Sequence, residues 1–173
     1  METVLEILKY TLPALVVFFT AYILIRLFIK NEEEKRNMEM NLANQKTILP
    51  LRLQAYERIA LFLERISPES LIMRVNQTNM TAQELKKELI STIRSEFEHN
   101  LSQQVYISSE AWELTKNARA HTINIINAAA EQIKPTANSL TLSKRILEMV
   151  VEHTEPPSAK ALEYLKREIR QFY

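Results

Sequence analysis

The chain has no cysteine, no glycine and, among its 21 acidic residues, no aspartate. Each absence closes off chemistry. Without cysteine there is no disulfide, thiolate zinc site, lipoprotein anchor or thiol nucleophile, and cysteine usage is silent on compartment. Without glycine there is no Walker or dinucleotide-binding fingerprint, because those loops need a residue lacking Cβ where the backbone meets a phosphate or takes positive φ. Tight two-residue hairpins also lose their favoured Asn-Gly and Asp-Gly turns. Excess charge is missing too. Setting aside Lys9, Arg26 and Lys30 among the 22 bases and Glu2 and Glu6 among the 21 acids leaves 19 of each for residues 31–173. A neutral, mixed-sign chain is a poor binder of nucleic acid, where affinity comes from neutralising many phosphates.

What is present is one long apolar run, YTLPALVVFFTAYILIRLFI, over Tyr10 to Ile29. Twenty residues at a helical rise of ~1.5 Å span about 30 Å, the hydrocarbon thickness of a bilayer. The segment before it carries Glu2, Glu6 and Lys9 instead of a basic run, and no small-residue cleavage site follows, so an uncleaved anchor is expected. Lys9 precedes the run, whereas Arg26, Lys30, Lys35 and Arg36 lie at or beyond its far end. Basic flanks face the cytoplasm, which predicts a short external N-terminus over 1–9 and a cytoplasmic remainder. Arg26 and Lys30 are the expected membrane-interface residues, Arg26 reaching the headgroups by snorkelling. No small-xxx-small pair of the glycine type marks the run for dimerisation.

Residues 30–49 read as a helical stalk, polar and free of proline before Pro50, with a favourable Glu32–Arg36 spacing and a thin apolar edge of Met38, Leu42 and Leu49. Pro50 is expected to open the next helix, since its missing N–H costs nothing in a first turn. From there to residue 173 the chain reads as a small cytoplasmic helical bundle. Over Leu51 to Ile66, Leu53, Tyr56, Ile59, Phe62, Leu63 and Ile66 form a broad apolar face opposite Glu57, Arg58, Glu64 and Arg65. Arg52 interrupts the apolar face and Leu61 the charged one. A Ser67-Pro68 break precedes a short helix through Val75, and Asn76 to Met80 forms a loop.

Thr81 and Glu84 have capping-box spacing, opening a helix to about His99 with the stripe Leu85, Leu89, Ile93 and Phe97. Asn100 is the expected substitute for glycine at its end. Ser108 or Ser109 caps a helix over 110–134 whose stripe alternates small and large residues from Ala111 to Ile133, with Trp112 and Ile123 off it, implying a second neighbour. Pro135 stops that helix. Two more are expected, around Leu142 to Val150 and from Ser158 to Tyr173. No segment combines strand alternation with turn chemistry, so the fold class is all-α.

Catalytic and metal chemistry find no legible constellation. Glu96-x-x-His99 has the spacing of one half of a di-iron carboxylate site, but it occurs once and His99 projects to the polar side. His121 lies at the edge of an apolar stripe, and His153 is placed to meet carbonyls at a helix end. No catalytic residue, metal, cofactor or small-molecule substrate is expected. Asn117 and Asn124, seven apart, form a polar row beside an apolar seam. With Arg52, Leu61 and Trp112 they are the candidate partner-binding residues.

The run Leu49 to Val75, LPLRLQAYERIALFLERISPESLIMRV, resembles an uncharacterised family of single-pass, membrane-anchored helical proteins of Bacteroidota. That resemblance implies an inner-membrane protein with a cytoplasmic helical domain and supplies no catalytic residues. A looser likeness to the peripheral-stalk b subunit of ATP synthases fails at Pro50, Pro68, Pro135 and Pro156, which cut the chain into bundle-length pieces. The expected function is self-association or partner binding at the cytoplasmic face of the bacterial inner membrane, with the lipid bilayer and a homo-oligomer or other membrane-complex subunits as partners. The alternatives are an accessory subunit of a transport, secretion or motor complex, and a membrane-associated enzyme using His121.

Overall fold

The computed structural model describes residues 2–152 and 157–172, with side chains from Leu15 onward apart from those of 41, 44, 157 and 172. The expectation for His153 lies outside the described residues. Among those described, six α-helices and two 3-10 segments make up an all-helical chain. They divide into two compact units, Met1–Leu49 and Pro50–Tyr173.

The first unit is helix alone, the leading part of α1 (Glu2–Arg65). Every side chain from Leu15 to Met40 is exposed. The apolar residues between Leu15 and Ile29 therefore fall on all sides of the helix, and nothing in the unit folds over them. Thr20 turns its hydroxyl inward, donating to the Val16 carbonyl at 2.6 Å and approaching that of Val17 at 3.0 Å. That back-bonding hides the one hydroxyl of the stretch other than a phenol. Lys30 pairs with Glu34 one turn on at 4.0 Å. Among the described residues no helix is long and apolar enough to cross a membrane; their side chains begin at Leu15, inside the 10–29 run.

Pro50 corrects one expectation. It does not open a helix but lies within α1. An interior proline removes one backbone hydrogen bond and strains the preceding turn, at ~3 kcal/mol. With no glycine nearby and no N-cap side chain at Leu49, the sequence offers no competing helix start.

In the second unit, residues 50–65 of α1 are joined by α2 (Pro68–Val75), α3 (Ala82–His99), α4 (Ser109–Glu131), α5 (Ser139–Glu152) and α6 (Pro157–Ile169). Helix α4 is central, packing on α3, α5 and α6, while α2 packs on α3 and α5. The core follows the stripes read from the sequence: Tyr56, Ile59, Leu85, Leu89, Ile93, Leu142 and Ile146 are all fully buried. Helix α4 buries two faces. Ala118, Ile125 and Ala129 lie on the first, and Trp112, Thr115 and Ile126 on the second. Its buried threonines lose no hydrogen bonding, because Thr115 and Thr122 donate to the carbonyls of Ala111 and Ala118 at 2.8 and 3.0 Å.

The helix boundaries show which local signals acted. The capping box forms in full: Glu84 N–H donates to Thr81 Oγ1 at 3.3 Å, and Thr81 N–H donates to Glu84 Oε2 at 2.9 Å. The Thr81 N–H, and then the Thr81 hydroxyl, which donates to Glu84 Oε2 at 2.9 Å, hold the Glu84 carboxyl below its usual range. Asn100, by contrast, is not left-handed: its φ is −104°, and its side chain donates to the Glu96 carbonyl at 2.8 Å while a 3-10 turn, Leu101–Val105, carries the chain onward. Asn79, in the α2–α3 loop, takes the positive φ of 74° instead. Helix α4 ends at Glu131, short of Lys134, since a residue preceding proline avoids the α region. The α4–α5 connection is lashed to the α2–α3 loop by Ala82 N–H to Ala137 O at 2.8 Å and Ser139 N–H to Met80 O at 3.0 Å, around an isolated bridge between Thr81 and Asn138.

Candidate functional site

In the second unit a groove of about 560 Å³ runs between α1 and α3. The i, i+3, i+7 spacing of Arg58, Leu61 and Arg65 brings them to one edge of α1, and Ser91, Ser95 and His99 share the facing edge of α3. Leu61 is 53% exposed at its rim, whereas Phe62 beside it is buried.

One end of the groove is held by Glu96. Its carboxylate accepts from Arg65 Nη1 at 3.2 Å through both oxygens and from Arg74 Nη1 at 3.3 Å, and Arg74 Nη2 also donates to the Arg65 carbonyl at 3.4 Å. One acid thus ties α1, α2 and α3 together. These pairs are partly solvated, so they fix register more than they add stability. Glu96 is thereby engaged by two arginines. His99 is exposed with Nδ1 2.7 Å from the Ser95 carbonyl, and among the described residues no group of three or more His, Cys, Asp or Glu could hold an ion.

A second polar cluster pins the other side of α1. Tyr56 is fully buried. Burial first, then the neighbouring Glu168 carboxylate, pushes its phenol above the usual range, with Ser108 and Arg52 also in contact. Ser108 Oγ accepts from Ala111 N–H at 3.1 Å as the cap of α4 and donates to Glu168 Oε2 at 3.0 Å. The Glu168 charge therefore lies at the positive end of the α4 dipole, where it is favoured. This cluster docks α6 against α4 and α1. Arg52, read as a break in the apolar face, donates from Nε to the Tyr106 carbonyl at 3.2 Å and so secures the 3-10 turn.

The remaining candidates separate by burial. Trp112 is only 8% exposed, its ring stacked on Phe97 at 5.2 Å, with the Arg119 guanidinium 4.0 Å above the Phe97 ring. It belongs to the core. Asn117 and Asn124 are exposed on α4, His121 is half-buried, and Arg26 and Lys30 are exposed on α1 in the first unit. Of the candidates, only Leu61 lines the groove. The bonds that join Glu96 to Arg74 and Glu168 to Ser108 escaped sequence reasoning because they link residues 22 and 60 apart. The one available signal was Tyr56, whose hydroxyl demands a polar neighbour once its stripe is buried.

No curated protein and no solved structure matches the chain. A family model does match, over residues 2–172. The chain therefore belongs to the DUF7935 family, a family of unknown function.

Proposed function

We propose that this protein is a single-pass protein of the bacterial inner membrane, anchored by residues 10–29 with its N-terminus outside, whose cytoplasmic helical domain mediates self-association or partner binding without catalysis. The observation that carries this reading is the unbroken exposure of apolar side chains on every side of α1 from Leu15 to Ile29. A helix apolar all round has its stable surroundings in lipid or in the middle of a protein core, and the first unit contains no other element to supply a core. Arg26 and Lys30 mark the cytoplasmic end of the run, where long basic side chains reach headgroups. The groove between α1 and α3, with Leu61 at its rim, supplies a surface on which a partner can act.

Alkaline carbonate extraction of membranes, followed by native mass spectrometry of the detergent-purified chain, tests both parts. The expected result is retention in the membrane pellet and a mass of more than one copy, or a stoichiometric co-purifying protein. Release by carbonate contradicts the anchor, and a strict monomer without a partner contradicts the binding role.

A further inference from the structure

Leu61 lies in a row of exposed residues on the outward side of α1: Leu51, Gln54, Arg58, Leu61 and Arg65. They alternate in steps of three and four, the heptad spacing of a helix-pairing seam. Two exposed acids, Glu57 and Glu64, each precede an arginine of the seam by one residue. We propose that a second copy of this chain docks along this seam, Leu61 packing on the partner's Leu61 while Arg58 and Arg65 pair with the partner's Glu57 and Glu64. The proposal rests on the self-association reading above and names its surface.

Charge selects a second copy over other occupants. In a parallel pairing, an a-position side chain inserts into a hole that includes the g residue just before its counterpart, which brings Arg58 to the partner's Glu57 and Arg65 to the partner's Glu64. In an antiparallel pairing about Leu61, Arg58 meets the partner's Glu64 and Arg65 the partner's Glu57. The stripe is complementary to itself in either sense. Arg65 is available for this, because it engages Glu96 through Nη1 and its side chain remains 48% exposed.

Shape agrees with charge. The knob, Leu61, and the groove beside it, with small Ser91 and Ser95 on the α3 wall, lie on one face. Such a contact is isologous and closes at two copies. The seam is about two heptads long, well short of the area a stable dimer needs in dilute solution. Pairing therefore depends on the high effective concentration of copies sharing one membrane.

The chain contains no cysteine, so one introduced thiol reports its own neighbourhood. Full-length Leu61→Cys, oxidised in native membranes, is expected to give disulfide-linked dimers about tenfold more readily than Met73→Cys or Leu140→Cys, although those positions are the more exposed at 81% and 65%. Adding Glu57→Arg and Glu64→Arg is expected to lower the Leu61→Cys yield to that of the controls, at an unchanged melting temperature. Yield no higher than the controls, or unaffected by charge reversal, overturns the seam. Native mass separates the levels: oligomers without Leu61 crosslinking sink this surface alone, whereas a monomer sinks the self-association reading as well.

Discussion

Residues 15–29 and residues 50–65 belong to the same helix, α1, and both are rich in large apolar side chains, yet their fates are opposite. In the first stretch every side chain is exposed. In the second, Tyr56, Ile59, Phe62 and Leu63 are at most 1% exposed, with Glu57, Arg58, Glu64 and Arg65 turned to solvent. Apolar content does not decide burial in a folded core; its periodicity does. A stripe of period 3.6 can be matched by neighbouring stripes, while an unpatterned apolar cylinder can be satisfied only by an apolar surrounding.

The sharpest way to break the comparison is to damage each stretch by the currency of the other. Leu89→Ala, at a fully buried position of α3, should cost the second unit about 2–5 kcal/mol by transfer and cavity terms, read from urea or thermal unfolding. Membrane association should be unchanged. Phe19→Arg, in the exposed apolar stretch, should oppose insertion by about 2.5–3.5 kcal/mol and raise the fraction released by carbonate. The melting of the second unit should not move. If Phe19→Arg instead unfolds the chain without releasing it, the contrast between the two stretches is wrong.

Smaller changes sharpen the second side of the contrast. Thr81→Ala should destabilise by about 1 kcal/mol through loss of the α3 cap. Because the Glu84 carboxyl is held below its usual range by the Thr81 N–H and then its hydroxyl, its contribution is fully present above the ordinary glutamate range. It is lost as pH falls through the lower folded value. The stability gap between wild type and Glu84→Gln should therefore close on acidification through that window and stay constant above it, as thermal melts across the acid range would show.

How much of this was legible in the sequence depends on how far apart the interacting residues lie. The capping box of Thr81 and Glu84 and the stripes of α3 and α5 are encoded within one or two turns, and they appear where the spacing puts them. The all-helical architecture follows from those stripes and from the absence of strand patterns and glycine turns. Local signals failed where they were ambiguous. Pro50 suits a helix start but tolerates an interior position, and Asn100 suits a left-handed cap but satisfied the Glu96 carbonyl with its side chain instead. At the candidate site, the heptad row around Leu61 is local and could be read as an anomaly on a charged face. The groove beside it was not legible, because it needs α3 brought alongside α1. Nor was the role of Glu96, which depends on arginines from two other helices.

The claim that the apolar run of α1 crosses a bilayer with the helical domain on the cytoplasmic side is open to one direct measurement, again made possible by the cysteine-free chain. Glu2→Cys and Lys160→Cys, each as the sole thiol of the full-length protein, are exposed in intact cells to a membrane-impermeant maleimide. The account predicts labelling of Glu2→Cys in intact cells and of Lys160→Cys only after permeabilisation. Labelling of Lys160→Cys in intact cells, or protection of both until the cells are opened, would contradict it.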